Sequence, residues 1–141
     1  MADIKHSIQT SATPERIYPL VATAKGFGEW WATDISQPGE TVDLGFFGRA
    51  TVYRLRLSQI KPTHAGWVCE SGDEWSGTHI VFGMESNKNG TLIRFTHAGW
   101  REESPYFISC NTTWGELMFR LKEVAEGRKP GPLFTKDGLK Y

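Results

Sequence analysis

A tight hairpin followed by an amphipathic helix constrains this chain more than any other feature. Asn87-Lys88-Asn89-Gly90 joins two runs of alternating polarity, 78–86 and 91–99, and Asn-Gly is the strongest short hairpin signal. A two-residue Asn89-Gly90 turn pairs Glu85 with Arg94, Met84 with Phe95 and Phe82 with His97. A four-residue loop shifts the pairs but keeps the faces, because side chains alternate with period two; only a three-residue loop would exchange them. One face then carries Ile80, Phe82, Met84, Ile93, Phe95 and His97, and the other His79, Val81, Glu85, Arg94 and Thr96. Opposite charges at Glu85 and Arg94 suit a solvated face, so His97 is expected to point inward and His79 outward. Residues 113–126 follow, opening on Thr113-Trp114-Gly115-Glu116, a capping-box pattern. Their apolar stripe is Trp114, Leu117, Met118, Leu121, Val124 and Ala125, with Gly127 as C-cap. A strand with an inward histidine and then a long helix predicts a curved sheet gripping a helix around a cavity.

The rest of the chain is read in the same way. Residues 4–10 alternate and form a first strand. Thr13-Pro14 is a helix start, with Thr13 as N-cap and Pro14 at the first helical position, where its missing N–H costs nothing. Ile17, Leu20 and Val21 give that helix its apolar stripe, and Pro19 keeps it short or kinked. Gly26 and Gly28 are expected to break the chain before a second short helix at Glu29-Trp30-Trp31-Ala32. The stretch 39–100 reads as antiparallel strands, among which Thr51, Tyr53, Leu55 and Leu57 share one face and Val52, Arg54, Arg56 and Ser58 the other. The tail, 128–141, cannot continue a helix after Arg128-Lys129-Pro130-Gly131-Pro132. It is either extended, with Leu133 and Phe134 packed back on the domain, or disordered. Residues 1–127 are read as one domain, which a chain of 141 residues accommodates without disulfides.

Composition narrows the function. Sixteen basic and sixteen acidic residues cancel, which argues against a nucleic-acid binder. Cys69 and Cys110 lie too far apart for a CxxC motif and are too few for a zinc site. His6, His64, His79 and His97 form no close pair, so no metal and no cofactor is expected. No apolar run approaches the ~20 residues of a membrane span, and no apolar leader precedes the first strand, which points to a cytoplasmic protein with reduced thiols. There is no Gly-x-Ser-x-Gly elbow and no phosphate-cradling glycine loop. Aromatic residues make up 13% of the chain, with six tryptophans; they fill a core or line a concave apolar site, and the sequence leaves both open.

His97 is the candidate catalytic residue, because an imidazole facing a cavity titrates near neutrality and can move a proton. The alternative is a neutral core histidine satisfied by structural partners. Tyr53, Thr91 and Glu29 are the polar groups that could assist it. Asp73-Glu74 reads as a solvated loop. Trp30-Trp31, Phe46-Phe47, Trp67, Trp75 and Trp100 lie near loops or strand ends and could rim a cavity, while 101–107 reads as a loop over one end.

Taken together, these residues resemble the activator of heat-shock-protein-90 ATPase homologue family, within the START-like (SRPBCC, Bet v 1-like) superfamily. The similarity covers 4–127. It rests on Ala12-Thr13-Pro14-Glu15-Arg16-Ile17-Tyr18, on Trp30-Trp31, on Gly90-Thr91 through Thr96-His97-Ala98-Gly99-Trp100, and on Trp114 before Leu117, Leu121 and Lys122. The resemblance implies an α+β helix-grip fold: an antiparallel sheet of about six strands, two short helices and a long C-terminal helix across the concave face. It implies a small hydrophobic ligand between sheet and helix. The candidate ligand-binding residues are Trp30, Trp31, Tyr53, Phe82, Met84, Phe95, His97, Trp114, Leu117 and Leu121. A cyclase- or hydrolase-type enzyme using His97, and a chaperone partner docking through the tail, are the alternatives; fold alone does not choose among them.

Overall fold

The computed structural model describes residues 1–135, 138 and 139. Alternating residues build seven strands: β1 (Ala2–Thr10), β2 (Ile35–Ser36), β3 (Thr41–Phe46), β4 (Thr51–Lys61), β5 (His64–Ser71), β6 (His79–Asn87) and β7 (Gly90–Trp100). They form one antiparallel sheet in the order β1-β7-β6-β5-β4-β3-β2, one strand more than expected. The helices are α1 (Pro14–Ala22), α2 (Ala24–Trp30) and α3 (Pro105–Ala125), and a short hairpin follows, β8 (Phe134–Thr135) and β9 (Gly138–Leu139). The helix-grip α+β architecture is as the sequence implies: α3 packs across the face of the sheet, and α1 and α2 close one end.

The hairpin between β6 and β7 turns at Lys88-Asn89, with Asn87 opposite Gly90. Phe82 therefore faces Phe95, and Ile80 faces His97. This register is two residues from the Asn89-Gly90 reading, so parity and faces survive. His97 is wholly buried and His79 exposed, while Glu85 and Arg94 form an exposed ion pair of 3.1 Å.

Two helix starts differ from expectation. Helix α2 begins at Ala24, because the Thr23 hydroxyl caps it by accepting from the Gly26 N–H at 2.9 Å. Gly26 lies inside this helix and is there for contact: a Cβ at this position would stand 2.0 Å from the Pro19 carbonyl oxygen. Helix α3 begins at Pro105, capped by the Ser104 hydroxyl, which accepts from the Phe107 N–H at 3.2 Å. The Thr113–Glu116 pattern thus falls in mid-helix. Thr113 Oγ1 donates to the Ser109 carbonyl at 3.1 Å and caps nothing. An N-cap box requires free N–H groups, and the upstream turn has already used them.

The tail returns to the body of the protein. Leu133 is fully buried. The Leu133 and Phe134 N–H groups donate to the Trp30 and Trp31 carbonyls at 3.1 and 3.0 Å, and the Thr33 N–H donates to the Phe134 carbonyl at 2.9 Å. Arg120 Nη1 donates to the Gly131 carbonyl at 2.7 Å. Residues 136, 137, 140 and 141, the end of the proposed docking tail, lie outside the described residues.

Candidate functional site

The concave face of the sheet divides into a filled part and an open part. In the filled part, β7 turns His97 toward α3. The Trp114 indole N–H donates to His97 Nδ1 at 3.2 Å, so Nδ1 carries the lone pair and Nε2 the proton. Nε2–H then donates to Thr78 Oγ1 at 2.8 Å, and the Thr78 hydroxyl donates to the Trp75 carbonyl at 2.6 Å. Both ring nitrogens are occupied. Burial pushes the imidazole from its ordinary 6.5 down to about 3, so the ring is neutral at physiological pH. Trp75 and Trp100 pack against it, with ring centroids at 4.6 and 4.9 Å. His97 is a saturated core residue, and a proton-transfer role would require this network to open first.

The open part is a partly open cavity of about 100 Å³. Phe46, Thr51 and Tyr53 supply its sheet side; Tyr106, Ser109, Cys110, Thr113, Trp114 and Leu117 supply the α3 side. Trp31, Trp75, Phe47 and Phe134 complete the wall. At the rim the turn between β3 and β4 is left-handed at Phe47, Gly48 and Arg49 (φ 53°, 65° and 68°). This conformation is costly for the two non-glycine residues. Asp34 holds the turn by an ion pair to Arg49 at 2.6 Å. The Phe47 side chain is left 61% exposed beside Phe134, at a centroid distance of 5.9 Å. Phe134 also meets Phe46 edge-on at 4.8 Å.

Besides the Thr51, Ser109 and Thr113 hydroxyls, two phenols line the cavity. The Tyr53 and Tyr106 hydroxyls hydrogen-bond to one another. Burial raises both phenols well above their ordinary range, so each stays protonated. Cys110 lies one turn along α3 from Tyr106, and burial pushes the Cys110 thiol up, away from thiolate chemistry. Cys69 and Cys110 are both free.

Of the residues expected to bind ligand, Trp31, Tyr53, Trp114 and Leu117 line the cavity. Trp30, Phe82, Met84, Phe95, His97 and Leu121 are buried but pack in the filled part. Among the proposed helpers of His97, Thr91 donates to the Ala12 carbonyl at 2.7 Å and Glu29 is exposed on α2; neither reaches the ring. Tyr106, Ser109, Cys110 and Phe134 were missed. The signal for the first three was Ser104-Pro105, the same hydroxyl-proline helix start that Thr13-Pro14 gives. Among the described residues no group of histidine, cysteine and carboxylate side chains could hold a metal ion. No helix among them is long and apolar enough to cross a membrane.

The cavity sits in a fold shared with solved proteins. The solution structure of the Aha1 dimer from Colwellia psychrerythraea superposes with a TM-score of 0.79 at 32% sequence identity, over 90% of this chain and 98% of that one. A Bacillus halodurans protein matches at TM-score 0.70 and 19% identity, over 89% of this chain and 98% of that one. A Staphylococcus saprophyticus protein matches at TM-score 0.70 and 15% identity, over 91% and 95%. These last two share the fold alone. No protein-family model matches the chain, and no curated protein does.

Proposed function

Since this chain belongs to the Aha1-like family of the START-like superfamily, we propose that it binds a small hydrophobic molecule between the curved sheet and α3. The observation that carries this reading is the cavity itself. Its wall is mostly aromatic, it opens to solvent beside Phe47, and among the described residues no charged side chain lines it. Apolar walls with a few convergent polar groups are the usual form of a small-molecule site. A dry cavity of ~150 Å³ is enough for a benzene ring. The partly open volume of about 100 Å³ is smaller and accepts a branched alkyl group or part of a small ring, and the remainder of a larger ligand would pass between Phe47 and Phe134. The two free thiols suit a reducing compartment and support a cytoplasmic location.

Native mass spectrometry of freshly purified protein, with solvent extraction, tests the proposal. A retained apolar molecule is expected, or uptake of an apolar fluorescent probe that Trp31→Ala and Leu117→Ala weaken. A protein that retains nothing and takes up no apolar probe would overturn it.

A second reading concerns assembly. Ile108 and Phe119 lie eleven residues apart, three turns of α3 on one face, and are 58% and 62% exposed. The Colwellia relative was solved as a dimer. Self-association through this face predicts that Phe119→Glu lowers the mass measured by light scattering; an unchanged mass excludes the face.

A further inference from the structure

Two phenolic hydroxyls in the wall of an apolar cavity bring two protons to one place, and they can consume only one between them. The Tyr53–Tyr106 hydrogen bond uses the first. Either oxygen can be the donor of that bond; the other proton has no oxygen or nitrogen acceptor among the described residues, and the neighbouring Cys110 thiol, one turn along α3 from Tyr106 and on the same cavity wall, is a weak one. The site thus holds a buried O–H on a poor acceptor, at the edge of space that an oxygen could enter. Trp75 keeps the pair in place by stacking on Tyr53, at a centroid distance of 4.0 Å and an interplanar angle of 17°. Position i to i+4 on α3 fixes Tyr106 against Cys110.

Resting on the cavity reading above, we infer that the Tyr53–Tyr106 pair is the polar anchor of the cavity and takes the oxygen of a neutral, apolar small molecule, a carbonyl above all. Neutrality follows from the lining. Among the described residues no lysine, arginine or histidine borders the cavity to balance an anion. The Asp73 carboxylate lies close enough to act on both phenols with the same sign that a ligand carboxylate would carry. Burying an unpaired carboxylate there is prohibitive. A carbonyl oxygen needs only a donor, and the phenol whose proton is not spent on its neighbour supplies it.

Cyclopentanone and methylenecyclopentane, which share a shape and differ in the acceptor, form the test. A hydrocarbon leaves water more readily than a ketone, so the informative quantity is the change on substitution. Both affinities are measured by tryptophan fluorescence in the native chain, in Tyr106→Phe and in Tyr53→Phe, with folding checked by circular dichroism. Loss of the hydrogen bond should weaken the ketone about tenfold in Tyr106→Phe while the hydrocarbon is unchanged or tighter. The bound ketone's carbonyl stretch should sit at lower frequency in the native chain than in that variant. If ketone and hydrocarbon change alike in both variants, the anchor is wrong while the cavity reading stands. If neither probe binds at all, the cavity reading fails and the anchor with it.

Discussion

Trp75 and Trp114 each border both halves of the concave face, and the halves they separate behave differently. On one side, Trp114 donates to His97, and Thr78 closes the chain of hydrogen bonds to the Trp75 carbonyl. On the other, the same two indoles wall a cavity in which the Tyr53 and Tyr106 hydroxyls bond to each other and leave one proton over. What differs is how the polar side chains are used: His97 and Thr78 spend their donors and acceptors on their neighbours, although the Trp100 indole N–H packed against the ring has no partner, whereas the phenol pair has a proton to spare for a ligand.

The sharpest way to break this contrast is Trp114→Ala, which removes the shared wall. It should cost about 3–5 kcal/mol, as large aromatic deletions from cores do, read as a lower urea midpoint with the slope retained. A loss under about 1 kcal/mol would mean the two halves are not packed as one body.

Acid sharpens it next. The folded-state value of His97, about 3, lies below its ordinary 6.5. Above pH 6.5 the ring is neutral whether folded or unfolded and contributes no pH dependence. Below that, the unfolded chain takes up a proton that the folded one refuses, so stability falls as pH falls. The slope is about 1.4 kcal/mol per pH unit, giving roughly 2 kcal/mol between pH 6.5 and 5. Urea titrations across that window should show the slope in the native chain and its loss in His97→Leu. Equal slopes would place the ring outside the sealed network.

Thr78→Val keeps the shape but strands the His97 Nε2–H, while the Trp75 carbonyl still accepts from the backbone N–H of residue 78. About 1–2 kcal/mol of destabilisation is expected, with binding of an apolar probe in the neighbouring cavity nearly unchanged. A larger effect on probe binding than on stability would show that the filled half supports the open one.

Phe134→Ala is the mildest. Phe134 is half-buried at the cavity mouth, so the stability cost should stay near 1 kcal/mol. Acrylamide should quench tryptophan fluorescence more readily as Trp31 is uncovered. Unchanged quenching would show that Phe134 does not guard the opening.

How much of this could be read beforehand varied by element. The β6–β7 hairpin was legible although its turn lies two residues from the one preferred, because a shift of two leaves every face intact. Helix α2 was misplaced because Gly26 looked like a breaker, and only its 2.0 Å approach to the Pro19 carbonyl shows why a glycine stands within a helix. The start of α3 was misplaced because a capping pattern at Thr113 competed with Ser104-Pro105, and the pattern itself does not say which N–H groups remain free. That error hid Tyr106 and Cys110, and with them half of the cavity.

The sequence by itself determined the architecture: strand parity, the hairpin and the α3 stripe set which side chains face inward, His97 included, because alternation and helical period are local properties of the chain. Only the tertiary structure decided which inward residues meet a void. Emptiness is a relation between elements distant in sequence, here Phe46 and Tyr53 on the sheet, Tyr106 to Leu117 on α3 and Phe134 from the returning tail. Nothing in the spacing of any one of them encodes the distance to the others.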